Sequence, residues 1–284
     1  MTPGLGFALG AMLLFGLGDL IYKRAAAAGV EASQFIMLQS WVFCPGITLY
    51  AWATGTLDPR ASALWGALAG LFGVTAFTNF ARSLQDGAVS TNAPIFRLNF
   101  TLTAALAIVL LGETFTATKA AALLCALAAV WLLLAEPADK GANLGASAKS
   151  LARVAIATVA MAFANLFYKI GLSQGALPET MVAAQAWVFS STATLYVLVR
   201  DRRLRLTPHV WRFSLPASLA LVVAFVLLMH ALARGPASVL VPVAQMSFVF
   251  TALLGAAMFR ERLNARKQLG LAVAAAALGL FAVS

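Results

Sequence analysis

Apolar residues run along this chain in stretches of roughly 20, separated by short polar breaks, and a helix of that length crosses about 30 Å of hydrocarbon. The pattern predicts spans at 4–24, 33–53, 62–84, 89–111 and 118–135, then at 151–172, 179–199, 210–233, 237–259 and 266–283. The longest polar stretch, Glu136 to Ser150, lies between the fifth and the sixth. It divides the chain into a first five-helix unit at 1–136, a linker at 137–150 and a second five-helix unit at 151–284. The fold class expected is an all-α integral membrane protein with ten transmembrane helices.

The two units are copies. Asp19-Leu20-Ile21-Tyr22-Lys23 returns as Asn165-Leu166-Phe167-Tyr168-Lys169, and Gln39-Ser40-Trp41-Val42-Phe43 returns as Gln185-Ala186-Trp187-Val188-Phe189, both at an offset of 146. Further along the offset becomes 148, matching Gly87 with Gly235, Pro94 with Pro242, Phe100 with Phe248, Thr103 with Thr251, Glu113 with Glu261 and Lys119 with Lys267. The two extra residues fall in the basic loop Arg200 to Arg212. With five spans in each copy, the second enters the membrane from the opposite side, so the repeat is inverted. Inverted repeats are associated with alternating-access transporters whose site lies near the midplane between the halves.

Composition agrees, since 62% of the 284 residues are apolar and only 11% are charged. A soluble domain could not cover that much apolar surface, so the lipid bilayer is the expected surroundings. The net charge of +10 would suggest nucleic acid in a soluble protein, but the basic residues stand at span ends rather than on one face, and no nucleic-acid partner is expected. Fifteen of the twenty Lys and Arg fall in odd-numbered connections, four in even-numbered ones, and Arg97 lies inside a span. Basic loops favour the cytoplasm, which predicts a multi-pass protein of a cell inner membrane with both termini on the outer, periplasmic face. The first apolar stretch lacks a basic leader and a small-residue cleavage site, so it is read as a retained span. Cys44 and Cys125, both within spans, read as small buried hydrophobes.

Several segments resemble a known family. Ala231-Leu232 through Pro242, Phe259-Arg260-Glu261-Arg262-Leu263, Gln268-Leu269-Gly270 and Gly279 are similar to the C-terminal half of the EamA-type repeat of the drug/metabolite transporter superfamily. Ser83-Leu84 through Pro94 with Gly112-Glu113 is a looser match in the first copy. The resemblance implies ten helices in two inverted repeats and export of a small metabolite such as an amino acid. It also implies a central cavity lined by helices one, three, four, six, eight and nine. Many relatives carry Trp-Gly where this chain has Phe15-Gly16.

Full charges inside spans are expensive and mark candidate sites. Here they are Asp19 in the first span and Arg97 in the fourth, with Gln39 nearby in the inner half of the membrane. Their counterparts Asn165, Gln245 and Gln185 are placed by the inversion in the outer half. One reading pairs Asp19 with Arg97, assisted by Gln39, and pairs Asn165 with Gln245 as a neutral equivalent. A second pairs Asp19 locally with Lys23 and leaves Arg97 to packing. A third makes Asp19 the carrier of a coupling proton. Asn99 and its counterpart Ser247 are candidate substrate contacts, and Pro94 and Pro242 are candidate hinges or simple packing kinks. Phe15, Asn79, Phe96, Phe100 and Phe248 are candidate cavity lining, with helix packing as the alternative. Glu113 and Glu261 read as solvated or capping groups. The alanine-rich fifth and tenth spans suit close helix packing or a homodimer contact. No metal-ligand spacing, nucleotide loop or catalytic triad is present, so no cofactor is expected. The alternative to a transporter of small-molecule substrates is a polytopic membrane enzyme or a structural subunit, for which acids and histidines are sparse.

Overall fold

A computed structural model of the chain describes residues 2–86, 89–134, 148–259 and 265–284, and every regular element within them is helical. In chain order these are α1 (Leu5–Ala27), α2 (Ala32–Ala53), α3 (Leu64–Asp86), α4 (Val89–Arg97), α5 (Asn99–Leu111), α6 (Ala117–Leu134), α7 (Ala148–Ser173), α8 (Pro178–Arg200), α9 (Pro208–Arg234), α10 (Ala237–Gln245), α11 (Ser247–Phe259) and α12 (Ala265–Ala282). Pro178 and Pro208 open α8 and α9 at a position where the missing N–H has no intrahelical partner to lose. α7 starts at Ala148, so the last residues of the expected linker are already helical, while 137–147 lie outside the described residues.

Seven of the helices are long and apolar enough to cross a membrane alone: α1, α2, α3, α7, α8, α9 and α12. α6 is a shorter apolar crossing. The fourth and ninth spans are each divided, α4 running into α5 and α10 into α11. Ten crossings result, arranged as two inverted copies of five.

Packing follows the repeat. α1 lies along α9 and its mate α7 along α3, α2 and α8 pack against each other, and α6 packs against α12. The alanine-rich faces of α6 and α12, with Ala122, Ala126, Ala129, Ala274 and Ala277 fully buried, are spent on that contact within one chain. Trp52, Leu64, Val109, Leu124, Trp131, Leu195 and Val199 are exposed on the outside, an apolar belt that only lipid satisfies. The Thr2 backbone N–H donates to the Ala282 carbonyl at 3.2 Å, so both termini share one end of the bundle, here the terminal end. The opposite, arginine end carries Arg24, Arg82, Arg153, Arg200, Arg202, Arg203 and Arg205.

Candidate functional site

The two divided spans break at Leu98 and Met246, which are 148 residues apart and therefore the same position of the repeat. Each break follows a proline by four residues, whereas a proline ring disturbs the turn before it, so the ring does not account for the position. In the first copy, side chains intrude on the helical ladder. The Thr158 hydroxyl donates to the Ile95 carbonyl at 3.1 Å and Asn99 Nδ2 donates to the Phe96 carbonyl at 2.7 Å, while the Leu98 amide turns back to Ile95 at 3.0 Å. In the second copy the Met246 amide is shared between the Pro242 and Val243 carbonyls, both at 3.1 Å. Pro94 and Pro242 sit within α4 and α10; the side chain of Pro94 is outside the described residues.

The breaks bring the polar groups together. Arg97 Nη1 donates to Gln245 Oε1 at 3.2 Å, and these two residues are repeat mates. Mates that touch must straddle the pseudo-twofold axis, so the contact marks the centre of the molecule. Arg97 Nη2 also donates to Asp19 Oδ2 at 2.8 Å, and Ser247 Oγ donates to the same oxygen at 3.0 Å. In the other copy Asn165 Nδ2 faces Asn99 Oδ1 at 3.5 Å and Thr103 Oγ1 at 3.3 Å. Asp19 with Ser247 and Asn165 with Asn99 are thus one contact made twice, once charged and once neutral. Gly16 lets α11 come this close to α1, because a Cβ there would stand 2.9 Å from the Ser247 carbonyl oxygen.

Access differs between the copies. The Asp19 and Arg97 side chains are 37% and 17% exposed, whereas Asn165 and Asn99 are 1% and 0% exposed. Both of the bonds to Asp19 fall on Oδ2, and Asp19 Oδ1 makes no hydrogen bond among the described residues. In the terminal half α5 packs against α10, while among the described residues their mates α11 and α4 form no comparable interface.

The partners differ from those expected at two positions. Gln39 accepts a hydrogen bond from the Tyr22 hydroxyl rather than assisting Asp19, and Gln245 lies on Arg97 rather than Asn165. Helical periodicity assigns faces, and two residues near the midplane of inverted copies converge whichever half each is counted in. Gln185 Oε1, mate of the engaged Gln39 oxygen, is buried with no partner among the described residues. The Lys23 side chain is outside them. Asn79 bonds its own helix at the Thr75 carbonyl, 2.9 Å away. Phe96, Phe100 and Phe248 are buried in the apolar core, with Phe96 stacked on Phe80 at 4.2 Å, while Phe15 is half-buried, edge-on to Phe225.

Of the groups that fasten the terminal end, sequence reasoning offered a capping role for Glu113 without its partner and assigned no role to Lys119 or Lys169. Gly112, at φ 68°, closes α5 in the left-handed region and turns the chain so that Glu113 reaches across to the second copy. Its carboxylate accepts from the Ala237 and Ser238 amides at 2.7 and 2.9 Å, capping α10, where the helix dipole favours a negative charge. Lys119 Nζ donates to Ser238 Oγ at 3.3 Å, and Lys169 Nζ donates to the Leu232 and Gly235 carbonyls at 2.8 and 2.6 Å. Recurrence of these residues as Glu261, Lys267 and Lys23 was the available signal. Glu261 lies outside the described residues.

The EamA-like transporter family model matches the chain twice, over residues 2–135 and 149–283. The chain belongs to the EamA-like transporter family. It is therefore a multi-pass membrane protein of the drug/metabolite transporter superfamily, each of its five-helix copies being one EamA unit. The fold is also similar to that of a protein of known crystal structure, with a TM-score of 0.82 at 15% identity over 99% of this chain and 96% of the other. At that identity the likeness speaks for the fold alone. No curated protein matches the EamA chain in sequence.

Proposed function

We propose that this EamA-family protein is a secondary active transporter that exports a small zwitterionic metabolite such as an amino acid, with Asp19 and Arg97 as its polar centre. The observation that carries the reading is the Asp19–Arg97–Gln245 cluster, seated on the pseudo-twofold axis at the two helix breaks. Asp19 Oδ1 is the open acceptor for an ammonium group, and Arg97 exchanges its Asp19 bond for a substrate carboxylate. Asn99, Asn165 and Ser247 stand one contact away and orient the remainder. The aromatic pair Phe15 and Phe225 suits an apolar side chain on the substrate.

By the placement of its basic residues the arginine end is cytoplasmic, and the termini are periplasmic in an inner membrane. Packing of α5 on α10, the Glu113 cap and the Lys119 contact support a state closed outside and open inside, in which the charged copy awaits a cytoplasmic substrate. The breaks at Leu98 and Met246 act as hinges, with Pro94 and Pro242 softening the arms leading to them. Substrate bound more tightly to one state shifts the population toward it, which is how the halves exchange access.

The test is a flux screen in proteoliposomes over the common amino acids and related amines, with and without a pH gradient. Accumulation of at least one zwitterion against control liposomes is expected, abolished by Arg97→Gln. Flux accelerated by the pH gradient assigns a coupling proton. Absence of any amino acid or amine flux by folded protein overturns the reading.

A further inference from the structure

The two copies differ in the partner they give one half-buried basic position, which lies at the terminal end in the second copy and at the arginine end in the first, and the difference points to a second binding site. Position 230 of the second copy is His230, whose Nε2 lies 2.8 Å from Glu179 Oε1, a carboxylate only 6% exposed. The same position of the first copy is Arg82, and the position matching Glu179 is Ser33, at the offset of 146. Arg82 is therefore a permanent cation without the internal carboxylate that its counterpart has. Its Nε donates to the Tyr196 hydroxyl at 2.9 Å, and its guanidinium lies 4.9 Å from the centre of that ring. Arg200 approaches the same ring at 5.9 Å. Among the described residues neither arginine forms an ion pair. Two guanidiniums gathered on one phenol repel each other unless an anion stands between them.

Among the described residues two carboxylates line the same recess, and each has another partner. Asp201 Oδ2 accepts from Ser33 Oγ at 2.6 Å and from Gln34 Nε2 at 3.3 Å, and Glu31 lies 3.5 Å from Arg205. Between α3, α8 and the α1–α2 turn these side chains enclose a recess of about 130 Å³. Beside it on α8, Leu195, Leu198 and Val199 are 60%, 48% and 67% exposed on the lipid-facing side. The recess is balanced in formal charge, with Glu31 and Asp201 against Arg82 and Arg200. Its two guanidiniums nevertheless form no ion pair among the described residues, and such groups with apolar neighbours suit a phosphate, which guanidinium recognises through paired, charge-assisted hydrogen bonds.

We propose that Arg82, Arg200 and Tyr196 form a phosphate-ester site, distinct from the central cluster, that supplies the first copy with the anion the second copy carries as Glu179. A phospholipid of the adjoining leaflet or a soluble phosphate ester offers the same chemistry. Thermal unfolding of the full chain in zwitterionic detergent, with phosphatidylglycerol, phosphatidylcholine or glycerol 3-phosphate added at matched ionic strength, separates them. Phosphatidylglycerol is expected to raise the wild-type midpoint by about 3–5 °C and phosphatidylcholine by less than about 1 °C. Arg82→Gln/Arg200→Gln abolishes the difference. Ser33→Glu, which installs the missing carboxylate at the cost of the Ser33 bond to Asp201, abolishes it too when read against its own lipid-free midpoint, and so serves if the double variant fails to fold. A shift with glycerol 3-phosphate that these variants remove assigns the site to soluble esters. Shifts of equal size in wild type and variants, or with phosphatidylcholine and phosphatidylglycerol, overturn the proposal.

Discussion

Asp19 and Arg97 share one hydrogen bond at 2.8 Å, and removing either charge strands the other in a partly desolvated centre. The cost for such a pair, less than that of a fully buried one, is about 1–3 kcal/mol. The second copy supplies the control, because its mates at these positions are Asn165 and Gln245. Asp19→Asn and Arg97→Gln are each expected to lower the thermal midpoint, and the double variant, which makes both copies neutral, is expected to recover most of that loss. Transport is expected to stay at least about tenfold down in all three, since the charges proposed to receive the substrate are gone. Recovery of flux along with stability in the double variant would show that the pair is structural. These two residues were legible as intramembrane charges from sequence alone. Gln245 and Ser247 were legible as candidates too, but not as the partners of Arg97 and Asp19, because the contact is made across an axis that exists only once the copies are packed.

Among the elements, the long apolar runs and the offset between copies made the ten crossings and their inversion readable, but not the breaks within two of them. Leu98 and Met246 are ordinary helix formers, and nothing in their neighbourhood spells a stop. In α4 the interruption comes from Thr158, a residue of α7, taking the Ile95 carbonyl, a tertiary event without a local signature. The cap on α10 has the same character: Glu113 is 124 residues away from the amide it satisfies. Glu113→Ala leaves that helix end without its acceptor, at a cost of about 1 kcal/mol. On the proposed cycle the loss falls on the state in which the terminal end is closed and not on its opposite, so the population is expected to move roughly fivefold toward opening there. Spin labels on α5 and α10 are expected to report longer distances in this variant than in wild type. An unchanged distance distribution would mean that the cap stabilises both states alike.

At the scale of the whole molecule, an inverted repeat is nearly indifferent to which way up it inserts, since each copy turned over resembles the other. What breaks the tie is charge, fifteen Lys and Arg in odd-numbered connections against four in even-numbered ones. Four of the fifteen, Arg200, Arg202, Arg203 and Arg205, sit in the loop that the second copy lengthened by two residues. That loop is held down by structure as well, because Gln34 donates to the Arg203 carbonyl at 2.9 Å and accepts from the Arg205 amide at 3.0 Å, ties independent of the arginine side chains. Replacing all four with Gln leaves eleven against four, a bias still in the original direction. Periplasmic reporters fused to the C-terminus, active only outside the cytoplasm, are therefore expected to report fully in wild type and still predominantly in the four-site variant. Extending the replacement to Lys23, Arg24, Arg82 and Arg153 removes the remaining excess down to seven against four, and mixed orientation is expected there, seen as a reporter signal falling toward half. An inactive reporter on the wild-type chain would invert the membrane assignment, placing the arginine end on the periplasmic side and turning the proposed export cycle into uptake.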